Sequence, residues 1–540
     1  MVSIIDRAIA YVSPRLGAAR TRARLSVGAT SGYAAAKREL AALRNLSVKS
    51  QHADADTLPN LDVIRARSRH LIMNAPIAGG AVNTVVTNVV GVGFRMSPQA
   101  DGVSLAALAG VSREQVKAFE AAAEREWRLF CRAEHCDVAG QMGFAAVQEL
   151  AFRAVLGSGD CFVAIVQAPP GRPIDFALQL IEADRVSNPQ FKMDGDLLAG
   201  GVEYIAGGRP VAYHVSEIDR VNSMKTSWRR MPSTALDGTP RMLHLIHRDR
   251  IGQSRGVPYL APVMAALADL DRYTQAEITA AVLNASIAIL GESPGGDSPL
   301  KAESALAGGA NNSNPGFRRA EIDFEPGMVL EGFMPGETVK SFDATRPNAG
   351  FDPFVQAVLR QVGARLGLPF EILVLHFTAS YSAARAALLQ AWAFYRMRRA
   401  WLAASLCQPV YELVLANAIM RGRIAAPGFL ADAAIRAAWS GARWTGPSPG
   451  QIDPLKEVKA AEMRLALRLT TRTRETAEIT GDEWEQVVTE FGEEIALMKA
   501  LGVPEVDPAP PLPVEIDMDQ AEMTAPDAVD PAEIGDLEAA

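Results

Sequence analysis

Along the 540-residue chain the spacing of apolar positions changes several times, and each change predicts an element. Ser112, three residues ahead of Gln115, opens "REQVKAFEAAAEREWRLFCR" with a capping-box pattern, in which two side chains satisfy backbone N–H groups that a helix start leaves orphaned. "GFAAVQELAFRAVLG" has helical spacing and ends at Gly157, and the apolar "DCFVAIVQA" behind it predicts a strand. From there to His247 the text is strand and turn, in "FALQLIEADRV", "GVEYIAGGRPVAYHV" and "RMLHLIH", with a hairpin expected at "AGGRP". A long helix is predicted from about Pro258 to Leu290, roughly 45–50 Å at 1.5 Å per residue. Pro258 suits its first turn, where a missing N–H costs nothing.

The helical pattern then breaks. "GESPGGDSPLKAESALAGGANNSNPGF" is rich in Gly, Ser, Asn and Pro and reads as a loop. Short strands are expected in "AEIDF", "GMVLEGF" and "ETVKSFD". Asp352-Pro353 predicts a helix start, with Asp352 as N-cap, and Phe354, Val358, Val362 and Leu366 mark one buried face. After "GLPFEILVLHFTAS" interrupts the period, a helix of about Tyr381–Met420 follows, with a kink expected at Pro409. Asp453-Pro454 opens another, and Thr480 with Glu483 caps a last one that stops at Gly502. No internal repeat interrupts this α+β layout: a helical and stranded first half, two helices flanking a small β-rich insert, and a helical C-terminal region.

Composition adds the boundary conditions. Apolar residues make up 49% and charged residues 21%, values of a chain that buries real cores. The net charge of −8 is unevenly spread: residues 1–50 carry +7, residues 503–540 carry −11 with no base, and the body between is nearly neutral. A basic arm and a disordered acidic tail are therefore expected. Four cysteines in so long a chain suggest no disulfide framework and a reducing cytoplasm. The longest uncharged stretch, Leu71–Phe94, holds Pro76 and four glycines, so no membrane span is expected.

Candidate chemistry is sparse. GQSRG, residues 252–256, satisfies the Gly-x-Ser-x-Gly pattern of a hydrolase nucleophile elbow, which would make Ser254 a catalytic serine. Against it, the preceding strand ends near His247, "RDRI" intervenes, and only His376 follows as a base in the required order. The bland reading is a loop whose two glycines, Gly252 and Gly256, permit a turn ahead of a helix. "CRAEHC" brings Cys131, His135 and Cys136 close together but lacks the second pair of ligands that a structural zinc site needs. No Gly-Lys-Ser/Thr sequence supports an ATP-binding loop. The expectation is no metal, no cofactor and no reaction of the chain's own.

At GQSRGVP the residues become recognisable. "RIGQSRGVPYLAPVMAALADLDRYTQAEITAA" resembles the segment entering the stem helix of lambda-family phage portal proteins. "RARSRHLIMNAPIAGGAVNTVVTNVVGVGF", "GMVLEGFMPGETVKSFDATRPNAGFDPFVQAVLRQVGARLGLPFEIL", "YSAARAALLQAW" and "DPLKEVKA" are similar to further blocks of that family, in the same order, over about residues 30–502. The chain departs where the family has a Thr-Gly-Asp-like turn, reading "VLHFTAS" instead, and it has Ser380 and Ala383 in the Tyr-Ser-Ser-x-Arg region.

The resemblance implies a portal fold assembled as a dodecameric ring at one capsid vertex, through which double-stranded DNA is packaged and ejected. It implies a wing at 51–256 after the arm at 1–50, a stem of two helices at 257–290 and 351–368, and a β-rich clip at 291–350. A tunnel loop at 369–380, a long connecting helix at 381–425 and a helical crown at 426–502 complete it. Its implied partners are further copies of itself, the DNA, the terminase large subunit, the major capsid or scaffold protein and head-completion adaptors, in the virion and, during assembly, the host cytoplasm. On that plan Asp269, Arg272 and Glu277 line the channel, although a solvated outer face reads equally well. Leu375, His376, Phe377 and Thr378 form the tunnel loop, with a buried packing loop as the alternative, and Arg318 and Arg319 belong to the motor-docking clip or to plain surface. The rivals are a serine hydrolase using Ser254 and a non-ring DNA-binding or scaffolding head protein.

Overall fold

The computed structural model describes residues 50–218, 226–285, 289–292, 338–341, 350–376, 381–450, 454–480 and 484–502, with Tyr11, Ser13 and Pro14 besides. The basic arm, the acidic tail, Arg318, Arg319 and the strands expected in "AEIDF" and "GMVLEGF" lie outside the described residues.

Two units divide the chain after Pro447. The first runs through α1 (Ala53–Thr57), α2 (Leu61–Asn74), α3 (Pro76–Val89), β1 (Arg95–Pro98), α4 (Gly102–Ala109), α5 (Arg113–Phe130), α6 (Ala133–Cys136) and α7 (Phe144–Ser158). Strands follow: β2 (Asp160–Gln167), β3 (Phe176–Ile181), β4 (Leu198–Ala199), β5 (Val202–Tyr204), β6 (Pro210–Ile218), β7 (Thr226–Pro232) and β8 (Met242–Ile246). Then come α8 (Met264–Ala285), β9 (Ile289–Glu292), β10 (Thr338–Ser341), α9 (Phe351–Leu366), α10 (Phe370–Val374), α11 (Tyr381–Leu402), α12 (Gln408–Met420), α13 (Ala433–Trp439) and β11 (Ala442–Thr445). The helical region expected from residue 426 thus starts inside the first unit: β11 pairs antiparallel with β1, Arg95 opposite Thr445.

The strand at β2 is buried on both faces, and its alternation sorts the core. Cys161, Val163 and Ile165 face the main cluster, which includes helices α3, α5, α7, α11 and α12; Phe162 and Ala164 face a smaller one with Val202, Tyr213 and Val215 from the four-stranded sheet. β2 is the centre of an antiparallel three-stranded sheet, with Phe162 opposite Ile181 on β3 and opposite His244 on β8. The expected hairpin is present, β5 to β6, with Gly207 and Gly208 at positive φ in its turn. The capping box is formed: Ser112 Oγ accepts from Gln115 N at 3.3 Å, and Gln115 Oε1 accepts from Ser112 N at 2.8 Å. α5 delivers Trp127 into an aromatic nest with Phe130, Phe144, Tyr411 and Trp444.

Pro409 acts as its chemistry demands. It has no N–H for the carbonyl one turn back, and residues Ala403–Cys407 widen into a π-turn between α11 and α12. Among the described residues, Ala383–Met420 is long and apolar enough to cross a membrane, but 61% of its most apolar window is buried within the protein. The second unit contains α14 (Pro454–Ala466), α15 (Arg472–Ile479) and α16 (Trp484–Ala500). Thr480 ends α15, its N–H bonded to Thr476 O, and Glu483, its expected capping partner, lies outside the described residues. Gly502, at φ +68, does follow the end of α16.

Candidate functional site: a helix pair and the loop that roots it

The loop between β8 and α8 is fastened by three consecutive residues. Ser254 is 3% exposed, and Asp54 at the start of the described chain accepts from its N at 2.7 Å and its Oγ at 2.6 Å. Arg255 is buried beside Asp160, the first residue of β2, and its Nε donates to Asp160 Oδ2 at 2.6 Å. Its remaining N–H groups reach Asp160 Oδ1 and the carbonyls of Ala183, Val186 and Gly200. Gly256 meets Gly159: a Cβ on Gly256 would lie 1.9 Å from Gly159 O, so both positions are restricted to glycine by backbone contact. The turn function expected of both glycines holds only for Gly252, at φ +80.

Asp160 is the hub. Besides Arg255 it accepts from Arg65 Nη2 at 2.8 Å, His244 Nε2 at 3.2 Å and Gly256 N at 3.1 Å. Burial opposes its ionisation, but Arg255, the His244 hydrogen bond and Arg65 outweigh that and hold the carboxyl far below the usual range. Burial pushes the His244 imidazole down, and it pushes the Arg65 guanidinium down to about 10. This network was not foreseen from sequence. Its signal was Asp160 itself, a carboxylate opening an otherwise apolar strand.

These contacts leave no catalytic geometry at GQSRG. β8 ends at Ile246, well before Ser254, and the Ser254 hydroxyl is committed to a carboxylate rather than to an imidazole. Burial pushes the Cys131 thiol up to about 12 and that of Cys136 further. Among the described residues no group of three His, Cys, Asp or Glu is placed to hold a metal ion.

The two helices expected to flank the insert stand side by side and antiparallel. The Tyr259 hydroxyl donates to Leu366 O at one end. At the other, Tyr273 packs its ring 5.5 Å from Phe351 and 5.1 Å from Phe354. α8 is shorter than the 258–290 predicted. Pro258 and Pro262 have no N–H, and the Tyr259 N–H points away to Leu156 O, so the α-ladder starts only at Met264, after a single tight turn. Beyond it Leu290 belongs to β9, which pairs antiparallel with β10, Glu292 opposite Thr338. The chain thus leaves and re-enters the insert through neighbouring strands. Gly350, not Asp352, precedes the first residue of α9; Asp352 lies within the first turn and accepts from Gln356. Of the predicted buried face, Val362 and Leu366 are buried, while Phe354 is 53% exposed.

Asp269 and Arg272 lie on an exposed strip of α8 and pair with one another at 2.8 Å. Glu277, two turns further along, is half-buried. The segment expected as a loop from 369 begins with a helix, α10, because Pro369 is suited to a helix start. Ile372 and Leu373 are buried under it, whereas Leu375, at φ +54, and His376 are exposed. Phe377 and Thr378 lie outside the described residues.

A mixed helix-and-sheet body thus carries a helix pair joined through an insert, and the serine motif at its root serves as a structural fastening. The chain belongs to the lambda family of phage portal proteins, whose family profile matches residues 41–399, and its function is that of a portal in the phage head. It is 26% identical over 479 residues to Portal protein B of Escherichia phage lambda, covering 85% of this chain and 88% of that one. It is 26% identical over 485 residues to the portal protein of Escherichia phage N15, covering 85% and 89%. A chain in the neck of an empty gene transfer agent particle matches with a TM-score of 0.40 at 17% identity, over 77% of this chain and 92% of that one.

Proposed function

We propose that twelve copies of this chain close into a ring at one vertex of the capsid, with the α8–α9 pairs side by side as the wall of a bore for double-stranded DNA. The reading rests on the family together with the antiparallel pair and the strand pairing β9–β10 that ties the insert at its base. Residues 291–350 then form the clip, where Arg318 and Arg319 help dock the terminase large subunit and, later, head-completion adaptors. The outer body meets the capsid or scaffold protein. The chain performs no reaction itself; assembly takes place in the host cytoplasm, and the finished ring remains in the virion.

A conduit must not grip its cargo. α8 has 22 residues, ~33 Å, and duplex DNA carries about 19 phosphate charges over that length. Arginines facing so many phosphates would hold the duplex, but Arg272 is matched by Asp269 on the same strip. The strip is thereby close to neutral, and Leu375 to Thr378 supply the narrower contact of a valve.

Native mass spectrometry or negative-stain imaging of the full chain tests the ring: a closed particle of about 694 kDa, twelve times 57.8 kDa, is expected. A compact single-copy globule without an opening overturns it. Asp269→Lys/Glu277→Lys is expected to slow packaging, and unchanged packaging would remove these residues from the bore.

A further inference from the structure

An apolar seam runs along helix α16, and among the described residues it is only partly covered, with the Arg472 guanidinium over Trp484 at its start. Trp484, Val488, Phe491, Ile495 and Met498 recur at alternating steps of four and three, the period of a helix that packs along another helix. Val488 is 45% exposed, Phe491 61% and Met498 37%. The two flanks of the seam differ. One carries Val487, Glu494 and Leu501; the other carries Gly492 and Lys499.

Gly492 is the second observation. Glycine in the middle of a helix weakens it, and among the described residues nothing requires one here. Its φ is not positive, and a Cβ would meet no atom within 4 Å. A residue chosen small against its own helix, with open space above it, is explained by a side chain arriving from elsewhere.

When two such helices run parallel, each flank residue of one lies opposite the residue five positions further along the facing flank of the other. That rule sets Val487 against Gly492 and Glu494 against Lys499: a bulky side chain over a notch, then a carboxylate against an ammonium. Antiparallel pairing would set Val487 opposite Glu494. We propose that α16 is a subunit-contact helix, its Val487–Glu494 flank seating on the Gly492–Lys499 flank of the same helix in the next copy. The contact is heterologous, so it can be repeated around a closed ring; its parallel sense rests on the ring reading above.

Gly492→Leu in the full chain gives the test. Within one copy the substitution favours the helix and meets only open space, so a merely local role predicts an unchanged or firmer α16. The contact predicts at least a tenfold rise in the subunit concentration at which rings come apart, read by native mass spectrometry across a dilution series, with unchanged circular dichroism. Glu494→Lys and Lys499→Glu should each weaken the ring, and the double exchange should restore it. Rings of the Gly492→Leu chain as dilution-resistant as wild type, or charge exchanges that do not compensate, overturn the contact and leave the ring standing. Wild-type material that forms no ring removes both.

Discussion

Replacing Asp160 by Asn keeps the shape of the side chain and removes the charge between Arg65, Arg255 and His244. Asp160 has no exposed surface, Arg255 has 2% of its side chain exposed and Arg65 6%, so Arg255 would stay buried without its counter-charge and Arg65 would keep only Asp184, 3.8 Å away. Breaking one partner out of a buried ionic network costs about 3–5 kcal/mol, most of it the desolvation left uncompensated on the survivors. For a unit the size of Met1–Pro447, unfolding entropy is ~0.9 kcal/mol per K, so the melting temperature should fall by ~3–5 °C. The pH dependence is a second reading of the same network. The folded carboxyl titrates below its unfolded value, so its contribution is fully present above about pH 4 and fades as pH falls through the folded value. Scanning calorimetry of Asp160→Asn and wild type should give a gap that persists from pH 5 to 7, where loss of the Asp160 charge also lowers the His244 imidazole further, and that narrows only in stronger acid. Equal melting temperatures at pH 7, or a gap that closes near pH 6, would refute the assignment of Asp160 as a buried anion.

Other substitutions separate fastening from chemistry. Ser254→Ala removes a hydroxyl donor to the Asp54 carboxylate and should cost about 1.5–3 kcal/mol in thermal or denaturant unfolding while packaging persists. Loss of packaging without loss of stability would return Ser254 to a chemical role. Gly256→Ala places a methyl 1.9 Å from Gly159 O and should leave little soluble protein, whereas Gly110→Ala, at a helix end with open space, should cost far less despite its positive φ. Soluble yield and melting curves decide this. Tyr273→Ala deletes the ring between Phe351 and Phe354 and should destabilise the α8–α9 pairing by about 1–2 kcal/mol, seen as faster limited proteolysis between these helices.

What the sequence revealed follows from how far each interaction reaches along the chain. The capping box at Ser112 and Gln115, the strand β2 and the glycine hairpin before β6 are written within a few neighbouring residues. The π-turn ahead of Pro409 needs one missing N–H. The limits of α8 were misjudged because periodicity reports amphipathic faces, not where a hydrogen-bond ladder can begin: the two prolines and the outward Tyr259 N–H delay its start. Its far end was lost because β9 finds its partner across the insert, at β10, where no local pattern can announce it. The Asp160 network was invisible for the same reason. Arg65 and Arg255 each lie 95 residues from the carboxylate they serve.

The serine motif shows what a short match reports. In a nucleophile elbow the glycines admit a tight turn and close backbone contact around an exposed serine. In GQSRG the same letters admit one turn, at Gly252, and one backbone contact, at Gly256, but the serine between them faces inward to Asp54. The pattern is therefore a statement about backbone space, and the chemistry depends on which side chain the hydroxyl meets. Here the consecutive residues 254, 255 and 256 hold α1, β2 and the end of α7, and α8 starts eight residues past the last of them. A helix rooted at three separate points keeps its direction under load better than one rooted at a hinge. In the ring proposed above, a wall along which charged duplex is driven would place that demand on the base of α8.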